Sequence, residues 1–435
     1  VPHSIKRIRT LALVGQAGCG KTTLAEALLA AAKAISSPGS IERGSTVCDY
    51  TPLEKQLQHS LKLAVASFDF LETKIHLLDT PGYPDFLGHS LPALAAVETA
   101  AVVINAQNGI EMMSARFMQW AARRGLDRLV IVNKIDGDHV DAEALLEKIQ
   151  AAFGKECLPL NLPAAKRTRV SDCFFAPSGE ADFSSVEAAH RKLIDQVVEV
   201  DEKLMEAYLE RGEVTPDELH EPLERALREG HLIPVVFTSA RTGAGVAELL
   251  QIIVKLLPNP AEGNPPAYIS TPADGGEPST LQPIPDPGRH VLAHVFKIEI
   301  DPYLGRLAVF RVHQGRLTPG TQLYIGEGRK PVRPGHLFML RGKAQIEVNE
   351  ALPGDICAIA KVDEIRFDHI LHDWASDAHV HARPLELPAS VFGLAVQPKK
   401  HGDEQKVADV LHRLVAEDPC LRIEHNAQAN ETVMR

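Results

Sequence analysis

Five residues near the start of the chain are spaced for one kind of chemistry. Gly15, Gly18, Gly20, Lys21 and Thr22 stand in Gly15-Gln16-Ala17-Gly18-Cys19-Gly20-Lys21-Thr22, which has the form G-x-x-x-x-G-K-[ST]. Successive backbone N–H groups turn inward as an anion nest only where no Cβ obstructs the approach, so glycines recur. The pattern predicts a phosphate loop running from Gly15 through Gln16, Ala17 and Cys19 to Thr23. Lys21 reaches the outer phosphates, Thr22 holds Mg²⁺, and the helix that follows points its positive end at the anion. A Gly-rich turn between strand and helix is the plain alternative. The apolar "LALV" before the loop and the Ala/Leu-rich "LAEAL" after it suit both readings.

Three later stretches decide between them. "KIHLLDTPG" places Asp79 at the end of an apolar run, where a carboxylate can hold Mg²⁺ through water, and Gly82 where its N–H can approach a terminal phosphate. "LVIVNKID" ends another run with Asn133, Lys134 and Asp136. An Asp carboxylate accepts both N1–H and N2–H of guanine, whereas adenine offers a lone pair at N1, so Asp136 selects GTP over ATP. "FTSARTG" ends a further run with Ser239, Ala240 and Arg241, where a backbone N–H of Ala240 is expected at guanine O6. Four such signals in this order imply GTP or GDP as ligand. A switch also needs a hydroxyl on a loop that senses the terminal phosphate. Thr46 and Ser60 both lie between Lys21 and Asp79. Ser60 is the expected residue because it directly precedes the strand "LKLAVASFDF".

The elements that must hold these residues are legible in outline. "TLALVG", "LKLAVASFDF", "KIHLLD", "AAVVINA", "RLVIVNK" and "LIPVVFTSA" are strands alternating with helical patterns, the signature of an α/β fold with a mostly parallel sheet. Leu204–Leu209 and Val246–Leu257 have apolar residues at helical spacing and are expected to face the core. From Pro258 to Pro287 nine of thirty residues are proline, a stretch expected to be an interdomain linker with neither helix nor central strand. "HVLAHVFKIEI", "LAVFRVHQG", "QLYIG" and "DICAIA" then predict a small β-barrel. After Pro388, "SVFGLAVQP", "DEQKVADVLHRLVAE" and "LRIEH" read as β-α-β, with "ETVMR" opening another strand.

The totals agree. A chain of 435 residues with 45% apolar composition is expected to form two to four domains. A net charge of -11 argues against holding nucleic acid by bulk electrostatics, and no DNA partner is expected. Cys19, Cys48, Cys157, Cys173, Cys357 and Cys420 are scattered without a Cys-x-x-Cys pair, which suits a reducing cytoplasm. No apolar run reaches 18 residues, so no membrane span is expected, and the chain is read as a monomer. The His- and Asp-rich stretch from Asp368 to His381, including His369, His372, Asp373, Asp377 and His379, lacks zinc spacing and is read as the polar edge of the barrel. "KRTRV" from Lys166 and "PKK" from Pro398 are read as solvated charge.

These motifs together resemble the translational GTPases, most closely elongation factor G, over essentially the whole chain. "GQAGCGKTT", "TVCDYTP", "DTPGYPDF", "NKID" and "FTSARTGAGVAELLQIIVKLLPNP" carry the resemblance in the first part, and "FKIEIDPYLGRLAVFRVHQGRLTPG" and "VFGLAVQPKKHGDEQKVADVLHRLVAEDP" carry it later. It implies a P-loop GTPase domain over 1–260 with an inserted subdomain at about 155–230, a linker over 261–288, a β-barrel over 289–385 and part of a ferredoxin-like domain over 388–435. It further implies GTP hydrolysis with Mg²⁺ held by Thr22, Ser60 and Asp79, and a ribosome of RNA and protein as partner. Lys21, Ser60, Gly82 and Tyr83 become the candidate catalytic residues. Tyr83 stands where the family has a His that positions the attacking water. A phenol makes one such hydrogen bond but carries no imidazolium charge near neutrality, and the family's Glu-Arg-Gly-Ile-Thr is here Gln56-Leu57-Gln58-His59-Ser60. Weakened hydrolysis is expected, with a GTP-binding regulator or a ribosome-protection-type factor as the alternatives.

Overall fold

The apolar runs before Ser239 become strands: β1 (Ile8–Val14), β2 (Ala64–Phe70), β3 (Thr73–Asp79), β4 (Thr99–Asn105), β5 (Asp127–Asn133), β6 (Cys157–Pro159), β7 (Asn161–Ala164), β8 (Arg169–Asp172) and β9 (Ile233–Phe237). The structure is a computed structural model that describes the chain except residues 1–3, 213, 272–276, 302–303, 329, 375–378, 391, 401 and 427–430. It divides into two units. One comprises Val1–Pro84, Val97–Asn264 and Arg341–Ala344, and the other comprises Asp85–Ala96, Pro265–Leu340 and Gln345–Arg435.

In the first unit the strands lie in the order β2-β3-β1-β4-β5-β9-β6. All neighbours are parallel except β2 and β3. Every residue of β3 and β4 is buried, as is all of β1 except Arg9, because helices cover both faces of a parallel sheet. Register then decides where the loops emerge. Leu13 pairs with Asp79, Val14 with Val102, Asn105 with Asn133, and Val132 with Phe237. The carboxyl ends of β1, β3, β5 and β9 therefore share one edge, the place where open α/β sheets bind ligands.

Helix α1 (Lys21–Ala31) is built of good helix formers and buries Leu24, Ala25, Leu28 and Leu29. Leu28 belongs to the same apolar cluster as Leu158, Leu193 and Val197 of the long segment between β5 and β9, so that segment shares the core of the unit. Val246–Lys255 buries Val246, Leu249, Leu250, Ile252 and Ile253, as expected of a core-facing helix. Glu202–Arg211 departs from expectation: Leu204 is buried but Leu209 is 77% exposed. Five residues advance about 140° round a helix, so both cannot face one core.

In the second unit Leu292–Asp301, Gly305–Gln314 and Ile356–Ala360 pair antiparallel in turn, around a core that includes Val295, Phe310, Val312 and Ile359. The Pro-rich stretch is not the strandless linker expected. Tyr268–Ser270 is the central strand of a three-stranded sheet between Ser279–Leu281 and Val380–Ala382, and Tyr268 is buried. Among the described residues its prolines lie outside these short strands, which keeps the ladder N–H groups. In the His/Asp-rich stretch, Asp368 contacts His294, Asp373 accepts from the Val291 N–H, and the His372 ring lies against the Gly326 and Trp374 carbonyls. Asp377 lies outside the described residues. Leu394–Val396, Ile423–Asn426 and Glu431–Met434 form an antiparallel sheet that accompanies helix Glu404–Glu417. No helix among the described residues is long and apolar enough to cross a membrane.

Candidate functional site

The loops that leave the shared sheet edge surround a cavity of about 410 Å³. Ala17, Gly18, Gly20, Lys21, Thr22 and Thr23 line it from the first loop, Ser60 and Gly82 with Tyr83 from the next two, and Asn133, Lys134 and Asp136 with Ala240 and Arg241 from the last two. Gly15, Gln16, Cys19, Asp79 and Ser239 are not among its lining residues and support those that are.

The floor is prepared for an anion. Gly20 caps α1 at φ 94° with no side-chain cap bond, so the first N–H groups of the helix are not met by a cap. A Cβ on Gly20 would lie 2.5 Å from Asn133 Nδ2, which leaves only glycine at this left-handed position. Lys21 Nζ donates to the carbonyls of Gly15 (3.0 Å) and Gln16 (2.9 Å), which holds the ammonium at the loop. Gly82 is required by crowding: a Cβ there would stand 2.5 Å from both Ala17 N and Lys21 Nζ. Thr80 fixes this second loop to β1 by donating its hydroxyl to Leu13 O at 2.7 Å. Gln16 lends its Oε1 to Met113 N (3.2 Å), and burial pushes the Cys19 thiol up, so the loop cysteine stays a neutral packing group.

Thr22 Oγ1 donates to Asp79 Oδ2 at 2.7 Å and lies 3.0 Å from Ser60 Oγ. Beside them stands Asp49, which lines the cavity and which the reading of motifs did not single out. Burial raises the pKa of both Asp49 and Asp79, and the Asp49 charge adds to the effect on Asp79. Asp79 Oδ1 and both Asp49 oxygens are buried without a hydrogen-bond partner among the described residues. Two repelling carboxylates with orphaned oxygens, next to two hydroxyls, fit a hard divalent cation such as Mg²⁺. Thr46 is not a lining residue; its hydroxyl accepts from Asp49 N at 3.3 Å.

Asp136, which also lines the cavity, is exposed and accepts from Ser239 Oγ at 2.6 Å. Lys134 adopts φ 65°, a left-handed conformation after β5, and its Nζ donates to Gly18 O at 2.8 Å. Asn133 is a staple: Nδ2 donates to Cys19 O (3.1 Å) while Oδ1 accepts from Ala240 N (3.0 Å). The Ala240 N–H, expected at guanine O6, donates here to the Asn133 side chain, which ties the last loop to the first. His59, Gln58, Glu42, Ile41, Gln107 and Gly137 also line the cavity without having been expected there. "TVCDYTP" marks only the neighbourhood of Asp49, and no local signal marks His59.

Known proteins resemble the chain along nearly its whole length. Residues 6–259 match the Elongation factor Tu GTP binding domain, 290–368 match Elongation factor G domain 2, and 387–435 match Elongation Factor G, domain III. An Elongation factor G-like protein of Mycobacterium tuberculosis is 34% identical, with 98% of this chain and 63% of that protein covered. Elongation factor G of Thermotoga neapolitana is 26% identical, with 99% and 64% covered. A crystal structure of a Thermus thermophilus protein superposes with a TM-score of 0.84 at 33% identity, covering 99% of this chain and 64% of that one. The chain thus spans just under two thirds of the length of these relatives.

Proposed function

Because the chain belongs to the elongation factor G-like family of translational GTPases, we propose that its cavity binds GTP with Mg²⁺ and hydrolyses it slowly. The single observation that carries this reading is the convergence of all four motifs on one cavity, which Lys21, Gly82, Asp136 and Ala240 line together.

Each residue has a part. The N–H groups at the start of α1 and the Lys21 ammonium hold the phosphates; Asp136, steadied by Ser239, accepts from the guanine edge. Thr22, Ser60, Asp79 and Asp49 hold Mg²⁺, which when bound neutralises phosphate charge. Gly82 brings its backbone against the terminal phosphate, and Asn133 keeps the loops at both ends in register. The ribosome, as activator and partner in the cytoplasm, follows from the family, as does domain movement as the output. Single-turnover GTP hydrolysis with and without ribosomes tests this reading. Stimulated turnover below that of an ordinary elongation factor G is expected, and an equal rate would refute weakened hydrolysis.

A second reading is favoured by Tyr83, a cavity residue that is 42% exposed. On it the chain is a GTP-binding regulator, or a ribosome-protection-type factor, that does not turn over as a translocase. If Tyr83 limits the rate, Tyr83→His raises it by about tenfold or more. No gain would remove Tyr83 as the limiting defect.

A further inference from the structure

The long segment between β5 and β9 closes, with the end of helix Val246–Lys255, around a second cavity of about 620 Å³. It shares no lining residue with the nucleotide cavity. We propose that this second cavity binds a small organic monoanion, an apolar body that carries one carboxylate. The inference stands apart from the hydrolysis reading above.

The volume lies within the range of about 300–1,000 Å³ that small-molecule sites occupy. Three helices supply apolar walls: Ile194 from Val186–Val198, Tyr208 from Glu202–Arg211, and Leu219 and Leu223 from Pro216–Glu229. Phe174 and Phe175 add theirs from the turn after β8. That turn is held in shape by its own bonds. Asp172 Oδ1 accepts from the N–H groups of Phe174 (2.8 Å) and Phe175 (3.1 Å), and Oδ2 accepts from Ala176 N (2.9 Å). His190 Nδ1 donates to Cys173 O at 2.9 Å and ties the turn to helix Val186–Val198. Walls fixed before a ligand arrives lose little freedom when it binds.

The charge around the cavity selects the ligand. Arg191 and Lys255 both line it and are both exposed. Lys255 Nζ stands 4.6 Å from the centroid of the Phe175 ring, so the ammonium is kept against the apolar wall. Neither side chain forms an ion pair among the described residues. Glu187 is the one carboxylate among the described lining residues, and its Oε2 already accepts from the Ser185 hydroxyl at 3.0 Å. Two cations beside one engaged carboxylate favour a single negative charge on the ligand. A polyphosphate would have to shed its hydration against phenylalanine and leucine, which is costly. A carboxylate head meets the Arg191 guanidinium by charge-assisted hydrogen bonds while its apolar body lies on the walls.

The test titrates the whole chain by calorimetry with three compounds that share one apolar body: naphthalene-2-carboxylate, its neutral amide and naphthalen-2-ylmethylammonium. The carboxylate is expected to bind about tenfold more tightly than the amide, and the ammonium most weakly. With Arg191→Gln and Lys255→Gln combined, both at exposed positions, the carboxylate is expected to fall to the level of the amide, which itself changes by no more than about twofold. Phe175→Ala is expected to weaken carboxylate and amide alike, by about fivefold, and to keep their ratio. Equal binding of carboxylate and amide by the unmodified chain overturns the proposal, as does tightest binding of the ammonium or no binding of the carboxylate. So does a tenfold preference that survives the double variant. Competition by GTP with Mg²⁺ would put the carboxylate in the nucleotide cavity and overturns it too. A dimer in sedimentation that Phe175→Ala dissolves would make a second copy of the chain the occupant, with the same consequence.

Discussion

Asp136 is exposed at the mouth of the cavity, yet its Oδ1 is held at 2.6 Å by the Ser239 hydroxyl, so the carboxylate is oriented before a base arrives. On the proposed reading, removing it leaves the guanine N–H groups without an ionic acceptor, a loss of about 2–4 kcal/mol. Asp136→Ala is therefore expected to weaken GTP about 30- to 1000-fold and to leave ATP unchanged, which calorimetry with both nucleotides reads directly. Asp127, at the opposite end of β5, makes a separate prediction. It is 4% exposed, its Oδ1 has no hydrogen-bond partner among the described residues, and burial, with the charge of Glu98 next, pushes its pKa up to about 7. An unfolded Asp titrates near about 3.9, so the folded state holds the extra proton between those values. Stability is lost as pH rises through that window, by up to about 4 kcal/mol, and the penalty is complete above about pH 7. Asp127→Asn is expected to gain stability over the unmodified chain at pH 8 and to gain little at pH 4, by urea denaturation at each pH.

At the scale of elements, the segment that carries His59 and Ser60 depends on one buried carboxylate. Helix Pro52–Leu57 opens with a capping box in which Thr51 and Glu54 bond reciprocally. Glu54 Oε2 accepts from Thr51 N and Oγ1, while Oε1 reaches forward to Leu61 N (3.1 Å) and Lys62 N (3.2 Å). A six-residue helix is too short to hold itself, so this clamp places both of its flanks. Glu54→Ala strands the N–H groups of Leu61 and Lys62 and is expected to cost about 1–3 kcal/mol. Hydrogen exchange at those two amides should accelerate, and GTP affinity should fall by about tenfold through the displaced Ser60. Unchanged protection there would show that the strand β2 alone positions the segment.

At the scale of the molecule, the two units carry separate apolar cores, one around β1 and α1 and one around Val295 and Phe310. A ligand that binds only the folded first unit stabilises it by mass action. At 100 times Kd the gain is about 2.7 kcal/mol, or about 5–10 °C for a unit of this size. Scanning calorimetry is expected to show a transition that moves up with GTP and Mg²⁺ and not with ATP, while the transition of the second unit stays in place. A shift of equal size with both nucleotides would remove the guanine assignment.

The family of the chain and the loops that line the cavity were legible in the sequence. Their determinants are local: glycines where backbone must face an anion, an acidic residue after an apolar run, and alternation of strand and helix that sends four loops to one edge of a sheet. What the reading missed involves residues far apart along the chain. Asp49 joins Asp79, His59 meets Tyr83, and Tyr268 finds strands on either side within a stretch that composition alone assigns to a linker. Spacing along the chain does not encode these pairings. They arise when the register of the strands brings distant residues within bonding distance, and burial then decides which of their polar groups must satisfy one another.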